Sequence, residues 1–75
     1  MNELPVALNV ACTERTLEVA LSDGRTLSVP LVWFPRLYNA TPGQRSEWHL
    51  VARGAGIAWA ELGEDVSVEG LLLSG

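Results

Sequence analysis

The chain alternates between apolar and polar positions over most of its length, with one long interruption near the middle. An apolar residue at every second position is typical of a β-strand that buries one face. This pattern predicts five short strands, at residues 6–12, 16–21, 26–31, 49–53 and 57–59. Between Trp33 and Trp48 the alternation stops, and this central region is therefore predicted to contain turns and a helix.

The turn between the second and third predicted strands can be assigned a register. A two-residue loop would pair Leu21 with Thr26 and would place the two apolar rows on opposite faces of the sheet. A three-residue loop, residues 22–24, pairs Leu21 with Arg25 and brings both rows to one face, as a half-buried sheet requires. The sequence therefore predicts a type I turn followed by a bulge, with Gly24 at positive φ.

Cys12 and Pro30 add detail to the prediction for the first and third strands. In the first strand the apolar row of Val6, Leu8 and Val10 is predicted to face the core, and Cys12 completes it as a small core residue. In the third strand Pro30 has no N–H to donate, which predicts a sheet edge or the end of strand pairing at that position.

Helix signals are concentrated in the central region. Pro35 and Pro42 each suit the first position of a helix. Thr41 and Gln44 have the spacing of a capping box, in which each side chain bonds the main-chain amide of the other residue. We expect a first turn at residues 35–38 and a short helix from Pro42 to about residue 47.

These elements together predict a small α+β protein. Ser67 is predicted to cap a final helical turn that runs through residues 71–73. The fold class is then a small, mainly antiparallel sheet of about five short strands with one short central helix and a C-terminal helical turn. We expect residues 1–75 to form one domain. Structural roles are assigned to Gly24, Pro35, Thr41, Pro42, Gln44, Trp48 and Trp59.

Charge and cysteine content narrow the functional classes. The 75 residues include five arginines, no lysine and nine acidic residues, for a net charge of −4. The arginines are dispersed, so the chain lacks the basic stripe that direct nucleic-acid binding needs. Cys12 is the only cysteine and cannot form an internal disulfide, which favours a reducing compartment. The first residues lack a secretory signal and no apolar run could span a membrane. We therefore expect a soluble, cytoplasmic protein.

Few residues have the pattern of a catalytic or metal site. His49 is the only histidine and has no neighbouring nucleophile or carboxylate, so we interpret it as an ordinary strand residue. Glu61, Glu64 and Asp65 form an acidic cluster without the spacing of a calcium loop. We predict no catalytic residue, no cofactor and no metal. A small enzyme that uses His49 or the Glu64/Asp65 pair is the remote alternative.

All five aromatic residues lie between positions 33 and 59. Aromatic side chains are natural core fillers in a small protein, and they also anchor interfaces. Both interpretations remain open, although we expect at least one of the three tryptophans to be partly exposed. The candidates for contact with a partner are Trp33, Phe34, Arg36 and Tyr38. Replacing Arg36 with Glu should weaken partner binding if this surface is used.

An ordered series of short motifs resembles the bacterial "domain of unknown function 2442" family. The resemblance extends from about residue 8 to residue 73. It is carried by Asp23-Gly24-Arg25, Val29-Pro30-Leu31, Trp33-Phe34-Pro35-Arg36-Leu37, Ala40-Thr41, Gln44-Arg45, Trp48, Gly56-Ile57-Ala58-Trp59 and the run from Glu64 to Leu72. Ala58 and Gly63 depart from it, because the family more often has a polar residue or His at the first position and Asp at the second.

The resemblance implies a small, cytosolic α+β protein without assigned catalytic residues. Many such proteins are encoded beside a second small protein of the "domain of unknown function 4160" family, an arrangement like that of a toxin–antitoxin pair. The sequence and the resemblance together favour a non-enzymatic protein-interaction module, such as the acidic, antitoxin-like half of a two-protein module with a small basic partner. The alternative is a homo-oligomeric ligand-binding or scaffold domain, for example a homodimer.

Overall fold

Six strands form two three-stranded antiparallel sheets, and short helices connect and flank them. The computed structural model describes residues 4–74. The first sheet has the order β1-β2-β3 and the second the order β4-β5-β6. The strands are β1 (Ala7–Cys12), β2 (Thr16–Leu21), β3 (Thr26–Pro30), β4 (His49–Val51), β5 (Gly56–Trp59) and β6 (Glu64–Ser67). The helices are α1 (Pro35–Tyr38), α2 (Pro42–Arg45) and α3 (Val68–Ser74), and single 3₁₀ turns occupy Leu31–Trp33, Ala52–Gly54 and Ala60–Leu62.

The hairpin between β2 and β3 has the predicted register. Val19 lies opposite Leu27, and the N–H of Leu21 donates to the carbonyl of Arg25 at 2.8 Å. Gly24 has a φ of 94°. The three-residue loop is thus confirmed, and so is the expectation for Pro30, which ends β3 at the edge of the sheet.

The first strand differs from the prediction at Leu8. The pairing of β1 with β2 shifts between Ala7 and Asn9, where β1 carries an additional residue. Because a shift of one residue exchanges the two faces of a strand, Ala7 is buried whereas Leu8 is 61% exposed. The prediction that Leu8 belongs to the core row is therefore wrong.

A second correction concerns the second half of the chain. The prediction of one sheet of about five strands is wrong, because β4, β5 and β6 form a separate sheet and residues 64–67 add a sixth strand. The fourth strand also ends at Val51, two residues earlier than predicted. Ala52 and Arg53 have φ values of 51° and 57°, so the backbone turns there instead of continuing extended.

The central region holds two four-residue helices: the turn expected at residues 35–38 is helix α1, and the short helix expected from Pro42 to about residue 47 ends at Arg45. Helix α2 starts with the predicted capping box: Thr41 Oγ1 accepts from the amide of Gln44, and Gln44 Oε1 accepts from the amide of Thr41. At the end of the chain, Ser67 Oγ accepts from the amide of Gly70 at 2.9 Å and caps α3, which extends the expected turn to Ser74.

One hydrophobic cluster joins the two sheets. Its buried members come from both sheets, from the 3₁₀ turn after β3, and from α1 and α3. They are Ala7, Val10, Leu17, Val19, Leu21, Val29, Leu31, Leu37, Ile57, Trp59, Val66, Val68 and Leu71. No helix within residues 4–74 is long and apolar enough to cross a membrane.

Candidate functional site

The candidate site is an open groove between the aromatic segment and the edge of the second sheet. Trp33 and Phe34 form one side, and β6 with the start of α3 forms the other. The groove has a volume of about 330 Å³, and its lining consists of Trp33, Phe34, Asp65, Val66, Ser67, Gly70 and Leu71. We call it the aromatic groove.

The 3₁₀ turn after β3 turns Trp33 outward. Leu31 is fully buried, and its carbonyl accepts from the amide of Phe34 at 2.9 Å. This tight turn leaves Val32 and Trp33 on the outside of the protein, 59% and 49% exposed. Pro35 then begins α1 at its first position, as predicted, and Leu37 anchors that helix in the core.

Arg36 connects α1 to the loop that precedes β6. Its Nη1 donates to the carbonyl of Gly63 at 2.7 Å. Gly63 has a φ of 64°, which closes the 3₁₀ turn at residues 60–62 and directs the chain into β6. Arg36 therefore holds the two sides of the aromatic groove in position next to one another without lining the groove itself.

A second groove lies along the outer edge of β1, and we call it the edge groove. One side is formed by residues 10–14 and the other by α2 and Trp48. Its volume is about 510 Å³, and its lining consists of Val10, Ala11, Cys12, Thr13, Glu14, Pro42, Arg45, Ser46 and Trp48. Partial burial raises the pKa of the Cys12 thiol, and the nearby Arg45 guanidinium opposes this effect.

Arg45 is held in the edge groove by main-chain contacts. Its Nε and Nη2 donate to the carbonyls of Leu37 and Tyr38, each at 2.8 Å. The carbonyl of Arg45 in turn accepts from Nε1 of Trp59 at 2.9 Å. Trp59 is thus a buried core residue whose indole N–H is satisfied, and Trp48 is half-buried at the border of the groove.

The four predicted contact residues separate into two groups. Trp33 and Phe34 line the aromatic groove together, whereas Arg36 bonds Gly63 beside it and Tyr38, 50% exposed, lies outside its lining. Sequence reasoning did not associate Asp65 with these aromatic residues. The available signal was the short stretch 64–67, in which only Val66 faces the core.

The residues of the remote enzyme alternative do not meet. His49 lies opposite Ala58 in β5, and Ala58 lies opposite Asp65 on its other side. Two strand spacings, about 10 Å, separate the backbones of His49 and Asp65, and in residues 4–74 the one ion pair joins Arg25 and Asp23 instead. Glu61 accepts from Nε2 of Gln44 at 3.2 Å. Within residues 4–74, no group of three or more His, Cys, Asp or Glu side chains could hold a metal ion.

Two solved structures share this fold. A protein of unknown function from Rhodospirillum rubrum is 24% identical, with a TM-score of 0.82 over 96% of this chain and 89% of that chain. An uncharacterised protein from Chromobacterium violaceum is 30% identical, with a TM-score of 0.76 over 91% of this chain. This chain spans 64% of the length of that second protein.

The remaining comparisons concern sequence. No curated protein matches the chain. The model of the family described as "Protein of unknown function (DUF2442)" matches residues 7–74, and this chain belongs to that family.

Proposed function

We propose that this chain is a protein-interaction module that binds a small basic protein through the aromatic groove. In this proposal it is the acidic, antitoxin-like half of a two-protein module. The observation that carries the proposal is the shared lining of the groove: Trp33, Phe34 and Asp65 border the same open space.

This lining matches the chemistry of a basic side chain. The faces of Trp and Phe rings attract a cation, and arginine in particular stacks on them. A carboxylate at the same place adds a charge-assisted hydrogen bond. An arginine or lysine side chain that enters from a partner can therefore contact Trp33 through its cationic head or its aliphatic stem while its charge lies near Asp65.

The overall charge supports the same partner class. The net charge is −4, and Glu64 and Glu69 lie beside the groove in sequence, in β6 and α3. Charges of one sign around a binding surface steer a partner of opposite sign toward it and accelerate association. A basic protein is therefore favoured over an acidic one. A small protein of the "domain of unknown function 4160" family is the candidate that the gene pairing implied by the family resemblance points to.

The proposal is tested by affinity purification of the tagged chain from its host, followed by mass spectrometry. Three variants are compared with the wild type: Trp33→Ala and Asp65→Asn in the groove, and Val32→Ala as an exposed neighbour outside it. We expect a stoichiometric basic protein with the wild type and with Val32→Ala. Both groove variants should recover much less of it.

Two outcomes would contradict this function. A partner that is retained equally by both groove variants would exclude the aromatic groove as its binding surface. If the chain purifies alone and light scattering shows a concentration-dependent dimer, the homo-oligomeric alternative is favoured instead.

A further inference from the structure

The four edge strands of the two sheets are not equally protected against pairing with another strand. The edges are β1, β3, β4 and β6. Proteins protect such edges with proline, charged residues or very short strands. Strand β3 contains Pro30, β4 has three residues, and β6 carries Glu64 and Asp65. Strand β1 contains neither proline nor charge, and its bulge lies before Asn9, so residues 9–12 form a regular and unprotected edge.

The hydrogen-bond pattern shows which main-chain groups of β1 point outward. The amide of Leu21 donates to the carbonyl of Arg25, the residue before β3, so Ala20 and Glu18 direct their main-chain groups to the opposite side, toward β1. Asn9 pairs with Ala20 and Ala11 pairs with Glu18. The main-chain N–H and C=O groups of Asn9 and Ala11 therefore point inward, toward β2.

Val10 and Cys12 therefore present their N–H and C=O groups at the open edge of the sheet. Within the described residues, none of the hydrogen bonds outside the strand ladders involves these four groups. They are available to a further strand.

The edge groove runs beside the regular part of β1. It borders Val10, Ala11 and Cys12, about 10 Å of extended chain, and continues past Thr13 and Glu14 in the turn to β2. Its opposite side, formed by Pro42, Ser46 and Trp48, provides apolar and polar contacts for side chains of an inserted segment. An extended segment of four or five residues would pair with β1 and contact Trp48 with the side chains on one of its faces.

Arg45 determines the charge of the segment that fits. In residues 4–74 the one ion pair joins Arg25 and Asp23, so the guanidinium of Arg45 has no carboxylate partner. It uses two of its five N–H groups on main-chain carbonyls and retains three donors. Glu14 also borders the groove, which disfavours a segment with several acidic residues and favours one carboxylate placed at Arg45.

We propose that the edge groove binds an extended peptide segment of another protein, which adds to β1 as a fourth strand and places one Asp or Glu side chain against Arg45. Main-chain hydrogen bonds to Val10 and Cys12 supply affinity, and Arg45 supplies selectivity. This site is separate from the aromatic groove and does not depend on the function proposed for it. In these proposals the edge groove binds an acidic side chain and the aromatic groove binds a basic one.

The test begins with selection from a library of displayed random hexapeptides on the purified protein. We expect enrichment of β-branched residues with Asp or Glu at one constant position. A synthetic peptide from the selection should bind at least about tenfold more weakly to Arg45→Gln than to the wild type, because a charge-assisted contact is lost. Arg53→Gln, which changes an exposed arginine outside the groove, should bind like the wild type.

Amide hydrogen exchange on the wild-type protein tests the strand addition itself, even if Arg45→Gln does not fold. The amides of Asn9 and Ala11 should be protected before and after peptide is added, whereas those of Val10 and Cys12 should become protected only in the complex. Trp33→Ala should leave both results unchanged.

Three results would overturn the inference. The library could yield no enriched peptide, or the selected peptide could protect Asp65 and Ser67 instead of β1. Protection of Val10 and Cys12 that rises with protein concentration alone would show that a second copy of this chain occupies the edge.

Discussion

At the residue scale, the turn between β4 and β5 is the part of the described backbone where positive φ values follow one another. Ala52, Arg53 and Gly54 have consecutive φ values of 51°, 57° and 89°. Only Gly54 in this turn is buried, and a Cβ there would lie 2.9 Å from the carbonyl oxygen of Ala7 and 3.0 Å from Cβ of Val6. The turn of the second sheet therefore packs directly on the first strand of the first sheet, at a position that only glycine can occupy.

A pair of glycine substitutions separates conformational strain from this close approach. Gly24 and Gly54 have similar φ values, 94° and 89°, but a Cβ on Gly24 would have no atom within 4 Å. Gly24→Ala should lower the free energy of unfolding by about 1–2 kcal/mol, the cost of the left-handed conformation. Gly54→Ala should lower the free energy of unfolding by about 1–3 kcal/mol more than Gly24→Ala does, because backbone atoms must move to accommodate the added Cβ. Urea denaturation measures both values, and equal costs would show that the two sheets can separate locally without penalty.

At the scale of elements, the central helices depend on their ends. Each has four residues, too few for a stable helix on its own. In α2 the capping box satisfies two main-chain amides, and Nε2 of Gln44 also donates to Glu61 in the turn before β6. The cap thus links α2 to the second sheet and helps to position Arg45 at the edge groove.

Removing the cap should have a measurable cost. Thr41→Ala eliminates the acceptor for the amide of Gln44 and should lower the free energy of unfolding by about 1 kcal/mol. Thr41→Ser keeps the hydroxyl and should stay within a few tenths of a kcal/mol of the wild type. The measurement is urea denaturation followed by tryptophan fluorescence. A Ser variant as unstable as the Ala variant would show that the methyl group of Thr41, and not its hydroxyl, stabilises this region.

At the scale of the whole molecule, the two sheets are distinct in hydrogen bonding but share one core. Leu17 from the first sheet and Ile57 and Trp59 from the second are all fully or almost fully buried in the same cluster. A chain of this length has a stability of only a few kcal/mol, so neither sheet has the apolar area to persist alone.

Unfolding should therefore be a single cooperative transition. Leu17→Val in the first sheet and Ile57→Val in the second should each lower the free energy of unfolding by about 0.5–1.5 kcal/mol, which leaves the protein folded at the start of a titration. Each variant should also weaken both sheets to the same extent. Residue-resolved NMR during urea titration measures this, with one common midpoint expected for amides of β2 and β5. Loss of the β5 signals while those of β2 persist would contradict a shared core.

Much of the local structure was predictable because its causes lie close together in the sequence. The period of two identified five strands, and the number of residues between Leu21 and Arg25 determined the register of the β2–β3 hairpin. The capping box at Thr41 and the cap of α3 at Ser67 likewise depend on groups three residues apart. The family assignment also rests on sequence, over residues 7–74.

Features that depend on contacts between distant residues were not predictable in this way. The charges of Glu64 and Asp65 obscured β6, since that strand has one buried side chain, Val66, and pairs only with β5.

Whether the second half of the chain extends the first sheet or forms its own was decided by packing on the shared core. The same packing places Asp65 beside Trp33 and Arg45 beside the free edge of β1. The sequence by itself therefore determined the strands, caps and one hairpin, through short-range sterics and hydrogen bonding. Only the tertiary structure decided the two grooves, because each of them joins segments that are about thirty residues apart.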